Sequence, residues 1–454
     1  MQFLRRAGLA LVFAIPLALL AGFLPQTTQA QTATLQEAGK PVSTASNLQP
    51  QQAYSLPPQK LAKAIQLNRI RNILAIGGSL WSLAVLWLLL ATRTASGLEA
   101  RAERICKQRW LQGLLFFAGL LVILTLADLP LSLYGEHVSR IYGISVQSWA
   151  SWCGDLAKGL GLSLLLGAPL MLFFHWIVRI APRRFWLWAW IASMPLMVLG
   201  TVATPFLEPV FNEFEPLGRN HADLVTQLEK VVARTGTEIP VNRMFLMKAS
   251  LKSNGLNAYV SGMGATKRIV VWDTTAGRIP DDEILFIFGH ESGHYVLHHI
   301  GKELAGSAIF LFFLFWCCAR VAAWLAARFA GRWGLDSLVG NENPLAARAG
   351  FVVLLLTISV ASFLTDPFSN AFSRYFEHEA DVYGQEAIHG IVADPRQTAV
   401  SAFNHLGEAW LEDPNPSPIL EFWLYSHPSV QHRAEFALRY DPWKAGGTGK
   451  FFQR

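Results

Sequence analysis

The chain has 454 residues; 52% are hydrophobic, only 15% are charged, and the mean hydropathy is +0.30. Soluble globular proteins carry nearer ~25% charged residues, so the composition argues against a water-soluble protein and for a membrane protein. The net charge of +6 arises beside apolar runs and not in an aromatic-interleaved patch, which reads as membrane topology and argues against nucleic-acid binding.

Arg5 and Arg6 precede an apolar run from Ala7 to Leu24, and Thr28-Gln29-Ala30 has the small-residue spacing of a cleavage site. Residues 1–30 are therefore expected to be a signal peptide, with a retained first anchor as the alternative. The polar, Gln-rich stretch 31–66 has few large apolar residues and is expected to be a poorly ordered linker. Six further apolar runs are long enough to span a bilayer, which takes ~20 residues each. They lie near Ile73–Ala91, Trp110–Leu133, Gly159–Val178, Phe185–Val202, Leu304–Ala327 and Ala349–Leu364. Four spans thus fall in 67–203 and two in 304–366; any one could be a buried core helix, but six together argue against it. Trp110, Trp176, Trp186 and Trp324 lie near run ends, as interfacial anchors do. Arg93, Arg101, Arg104, Lys107 and Arg109 after the first run place that loop in the cytoplasm. Counting spans from there puts both later polar stretches on the outer face of a bacterial inner membrane. Cys106, Cys153, Cys317 and Cys318 form no C-x-x-C pair and read as free or buried thiols.

The first polar stretch, 204–303, opens with Pro205, Pro209 and Pro216. Leu224, Leu228, Val231 and Val232 recur at the spacing of an amphipathic helix. Strand-like pieces follow at Met244–Met247 and Leu256–Ser261, then a turn through Gly262 and Gly264, then a strand over Arg268–Trp272. Pro280 with Asp281, Asp282 and Glu283 marks a helix start. That helix carries Ile284, Leu285, Phe288 and Tyr295 at helical spacing, and between them His290-Glu291-Ser292-Gly293-His294.

This segment is an instance of H-E-x-x-H. Histidines four apart share a helix face and can grip one Zn²⁺, with Glu291 placed to take a proton from water beside the metal. By composition alone a chance match in a chain with 12 histidines has a probability of roughly one per cent. Two histidines and a glutamate inside an apolar helix are costly unless something pairs with them. A catalytic zinc needs a third protein ligand. Position 300, where a three-histidine site would need a histidine, is Ile300. His298 and His299 would sit on the same straight helix and close a tetrahedron poorly. The second polar stretch, 367–454, offers Glu377 and Asp381 on one face of a helix, with Arg374 one turn earlier. Glu377 could bind the metal while Asp381 accepts the free ring N–H of a ligand histidine. An exposed helix laced with charge pairs is the alternative at this point. Two spans separate His294 from Glu377, which returns the chain to the same side.

Asn370-Ala371-Phe372-Ser373-Arg374-Tyr375-Phe376-Glu377-His378-Glu379-Ala380-Asp381 beside HESGH resembles the type I CAAX prenyl protease family, integral-membrane zinc endopeptidases of the gluzincin kind. Asn257-Ala258-Tyr259, the strand Lys267–Thr274, Pro205–Leu217 and His427-Pro428 with Arg433 resemble further segments of that family. The resemblance implies a mainly α, polytopic membrane protein with an embedded zinc peptidase domain containing a small β-sheet. It implies one Zn²⁺ per chain on His290, His294 and Glu377, with Glu291 as general base and His427 stabilising the oxyanion. Asp381, Arg433 and Arg374 would support the zinc site, and Asn257, Ala258 and Tyr259 would bind a peptide or membrane-protein substrate along an edge strand. Asn254-Gly255-Leu256 lacks the histidine of eukaryotic members, and CAAX specificity is not carried over to a bacterial chain. The competing functions are a quality-control protease for membrane proteins and, from another class, a catalytically silent zinc-binding transporter or scaffold. Oligomeric state is not legible here.

Overall fold

The computed structural model describes residues 29–30, 53–339 and 343–453. The expected signal peptide lies outside the described residues apart from its last two, as does the expected linker up to residue 52. Among the described residues, six helices are long and apolar enough to cross a membrane: α1 (Pro58–Ala91), α3 (Arg109–Ile141), α4 (Trp149–Ile180), α5 (Phe185–Phe211), α8 (His299–Trp333) and α9 (Gly350–Ala387). A short α2 (Thr94–Ile105) joins the first two. Each of the six covers an expected span to within one residue and extends beyond it at one end or both. A 38-residue helix such as α9 is ~57 Å long, nearly twice the ~30 Å hydrocarbon core. The apolar run therefore marks the membrane portion of the helix and not its end. This is what carries α9 out of the bilayer and into the catalytic region.

One expectation is corrected at the start of α1. The helix begins at Pro58, with proline in its first turn, inside the stretch read as linker. Just before it, Tyr54 is fully buried. Its backbone N–H donates to Gln431 Oε1 at 2.9 Å and its hydroxyl to the Glu412 carbonyl at 3.0 Å. Asn68 and Arg71 then donate to Asp413 Oδ2 and the Trp410 carbonyl. A polar composition hides these anchors because each one is a polar group satisfied by a distant partner.

Outside the membrane, α6 (Ala222–Thr235) buries Leu224, Leu228 and Val231 in the catalytic core, as its periodicity requires. A four-stranded sheet follows, β1 (Phe214–Pro216), β2 (Met244–Met247), β3 (Ala258–Ser261) and β4 (Arg268–Trp272), in spatial order β1-β2-β4-β3. β2 and β4 run parallel and the other pairs antiparallel. β3 starts at Ala258, two residues later than its sequence pattern suggests, and lies at the sheet edge. Asn257 is paired inward, its carbonyl accepting from the Trp272 N–H at 3.1 Å. Alternation along an antiparallel edge then turns the backbone groups of Ala258 and Val260 outward.

The sheet is tied to the membrane by a buried ion pair: Arg268 of β4 donates to Glu208, in the last turn of α5, and the Tyr259 hydroxyl donates to the same carboxylate at 3.1 Å. On the opposite end of the bundle, Glu99 of α2 accepts the Arg348 and Ala349 N–H groups at 3.0 and 2.7 Å, satisfying donors at the start of α9.

Candidate metal centre and active site

Two helices build the centre. α7 (Asp281–Val296) carries the H-E-x-x-H segment and packs Ile284, Leu285, Phe286 and Phe288 into the core. α9 crosses it where Gly289 meets Gly384: a Cβ on Gly384 would stand 2.7 Å from the His290 nitrogen, and one on Gly289 would stand 3.0 Å from the Gly384 carbonyl oxygen. Only glycine allows this approach, and it brings the α9 face bearing Glu377 and Asp381 against His290.

His290 Nε2 and His294 Nε2 lie 3.2 Å apart. Glu377 Oε2 is 3.4 Å from His290 Nε2, and Glu377 Oε1 is 3.6 Å from His294 Nε2. Ligand atoms ~2.0–2.1 Å from a tetrahedral zinc stand ~3.3 Å from one another. The three side chains form the group suited to a metal ion among the described residues. Glu377 Oε2 is buried and accepts no hydrogen bond from the protein, an orphaned acceptor that a cation would satisfy. The donor set and its spacing therefore fit a zinc ion.

Asp381 takes the position expected of it, with Oδ1 2.8 Å from His290 Nδ1. Arg433, on α12 (Val430–Arg439), grips the same carboxylate with two donors at 2.6 and 2.9 Å and reaches Glu377 at 3.7 Å. His427 Nε2 stands 3.2 Å from Glu377 Oε1, on the open side of the site. Burial alone would strip the proton from His290, but the Asp381 and Glu377 carboxylates outweigh it and hold the ring up at about 10. Burial lowers His294 to about 3, leaving that ring neutral. Burial raises Glu291 to about 7, reinforced by the Glu377 charge and opposed by His290, by the Val260 N–H and by Arg433. A bound dication would pull Glu291 back toward the carboxylate form.

Three expected residues stand elsewhere. Arg374 does not support the metal ligands: it donates to the Glu421 carbonyl at 3.2 Å and to the Tyr425 carbonyl, at the end of α11 (Pro418–Leu424). Asn370, one turn before it, donates to the Trp423 carbonyl at 2.7 Å. Together they satisfy carbonyls at the end of α11 and hold the loop bearing His427. Tyr259 points away from the site toward Glu208 and Met247. The Asn257 backbone is consumed by Thr275 and Trp272, and its side chain is half-buried.

His298 and His299 do not continue one straight helix past His294, as their spacing suggested. His298 adopts the left-handed conformation, φ 56, and breaks α7 from α8. The break swings His299 back, so that its Nδ1 lies 3.2 Å from His294 Nδ1, on the side of the ring away from the Nε2 that faces His290. His299 is thus a neighbour of His294 and stands outside the His290, His294 and Glu377 group.

The model described as Peptidase family M48 matches residues 219–440, and that of the CAAX prenyl protease N-terminal, five membrane helices, matches 41–213. An uncharacterized metalloprotease of Bacillus subtilis, YhfN, is 33% identical over 398 residues, covering 85% of this chain and 87% of its own. The chain belongs to peptidase family M48. A CAAX prenyl protease 1 homolog of Arabidopsis thaliana is 29% identical to this M48 chain over 337 residues, 71% of it and 72% of the plant protein. CAAX prenyl protease 1 of Saccharomyces cerevisiae is 27% identical over 333 residues, 70% of each. The crystal structure of S. mikatae Ste24p superposes with a TM-score of 0.70 at 22% identity, covering 96% of this chain and 98% of that one, which shows the same fold. This M48 chain is a multi-pass membrane protein and a metallopeptidase of the CAAX protease type. The transporter and silent-scaffold alternatives give way to that assignment.

Proposed function

We propose that the chain is a zinc metalloendopeptidase of the gluzincin type, with His290, His294 and Glu377 as the metal ligands, acting on peptide segments of membrane-associated proteins. The observation that carries this reading is the convergence of His290 Nε2, His294 Nε2 and the two oxygens of the Glu377 carboxylate, at 3.2, 3.4 and 3.6 Å, around an orphaned Glu377 Oε2. Zinc held there would supply Lewis-acid polarisation of the scissile carbonyl and lower the pKa of the attacking water.

The protein groups supply the rest. Glu291 takes the proton of the attacking water and passes it to the leaving amine. The Val260 N–H, turned out from the sheet edge, steadies its carboxylate. His427, on the open side of the site, donates to the oxyanion of the tetrahedral intermediate, a contribution worth ~3–4 kcal/mol per donor. Arg433 fixes Asp381, and Asp381 fixes the His290 ring in the tautomer whose Nε2 faces the metal. The substrate lies antiparallel along β3, pairing with the outward groups of Ala258, with the Asn257 side chain as a further donor.

Orientation follows from the helix ends. Connections on the face opposite the site carry Arg93, Arg101, Arg104, Lys107, Arg183 and Arg184, whereas the site-side connection 142–148 carries no charge. By the positive-inside rule the site faces outward, periplasmic in a bacterial inner membrane, with residues 1–30 as the export signal.

The test is Glu291→Gln in the purified full chain. Zinc content should stay at the wild-type level while peptide cleavage falls by at least ~10³-fold. Substantial cleavage by this variant would refute the assigned base.

A further inference from the structure

The two histidines of the zinc helix are held differently. His290 donates its Nδ1 proton straight to a carboxylate, Asp381, at 2.8 Å. On its Nδ1 side, His294 reaches a carboxylate only through another imidazole. Its Nδ1 lies 3.2 Å from His299 Nδ1; His299 Nε2 lies 3.4 Å from Glu379 Oε2; and Glu379 Oε1 accepts from Lys450 Nζ at 3.1 Å. If His294 offers its Nε2 lone pair to the metal, its proton must sit on Nδ1. His299 must then accept at Nδ1 and carry its own proton on Nε2, facing Glu379. The donors have one consistent direction, with the His299 Nε2–Glu379 step an ion-pair approach at 3.4 Å and not a formed hydrogen bond.

The surroundings lock this arrangement. His299 is fully buried and stacks on Phe376, one residue before Glu377, with ring centroids 4.5 Å apart. Lys450 is held in turn by Glu386, which accepts the backbone N–H groups of Lys450, Phe451 and Phe452 at 2.6, 2.7 and 3.0 Å. Glu386 is itself fully buried, and a Cβ on Gly449 would stand 2.5 Å from its Oε2. The segment from Gly449 to Phe452 is therefore laid against α9 at a fixed height, with its lysine aimed at Glu379.

We propose that His299, backed by Glu379 and by Lys450 of this docked segment, is the positioning residue for His294, so that metal affinity depends on a segment distant in sequence from every metal ligand. The inference rests on His294 being a ligand. Orienting groups of this kind contribute about 10–100-fold to metal affinity.

The experiment measures zinc dissociation constants by chelator competition on the full chain in detergent, with thermal unfolding as a check on folding. His299→Phe keeps the ring and its stacking on Phe376 but removes the acceptor; His299→Asn loses the ring but places an amide oxygen where Nδ1 stood. The relay predicts that His299→Phe weakens zinc binding by about 10–100-fold and that His299→Asn restores most of it. A purely packing role predicts the reverse order, and that order overturns the proposal. Glu379→Gln, an isosteric change at a mostly buried side chain, and Lys450→Met, at an exposed one, should weaken binding by smaller factors, in that order; wild-type affinity in Glu379→Gln overturns the relay even should the His299 variants not fold. His294→Ala separates the two levels of the argument. Zinc lost in His294→Ala but retained in His299→Phe sinks the relay alone, whereas zinc retained in His294→Ala sinks the ligand assignment beneath it.

Discussion

A buried Glu377 oxygen without a donor is destabilising, a cost that a cation held between it and the two histidines would remove. Glu377→Ala is expected to weaken zinc binding by roughly a hundredfold or more, read by chelator competition. Arg433→Lys tests the clamp on Asp381. A lysine cannot reproduce the two parallel donors, so a fall of ~10-fold or more in kcat, with KM little changed, is the expected result in steady-state cleavage assays. At this scale much was legible in the sequence. The four-residue spacings of His290 with His294 and of Glu377 with Asp381 survive folding because a helix conserves them. His299 was not legible, because its place depends on a left-handed residue that is histidine and not glycine, and nothing in the pattern signals that break. Arg374 was misplaced for the opposite reason: its helix face was right, but a neighbouring helix end claimed its guanidinium first.

Between elements, the contact of α7 with α9 decides whether half-sites meet. Gly384→Ala would drive a methyl into the His290 backbone at 2.7 Å. Overpacking of this kind costs about 1–3 kcal/mol, so a lower Tm together with weakened zinc binding is expected; unchanged zinc affinity would show that the crossing is not what sets ligand spacing. Hydropathy located the six long helices but not their lengths, since the projecting ends are amphipathic. β2 and β4 were legible from their residue types. β1 was not, because Phe214–Pro216 is three residues long, ends in proline, and exists only by pairing with β2. The start of α1 was hidden by the same dependence on distant partners.

For the whole molecule, the proposed outward-facing site is checked by reporters. A reporter active only outside the cytoplasm should work when fused after Gln453 and fail when inserted after Lys107; the reverse pattern would turn the protein over. The Glu208–Arg268 pair has a further consequence. Glu208 sits at the end of a 27-residue spanning helix, and Arg268 lies on the strand that pairs with the sheet edge. The salt link therefore ties the end of a spanning helix to the sheet: a thicker or thinner hydrocarbon layer that tilted α5 would be felt at β3, whose Val260 N–H lies beside Glu291. Turnover reconstituted in lipids of graded acyl length should pass through an optimum, and Glu208→Gln should flatten it, which would make membrane thickness itself a determinant of the rate.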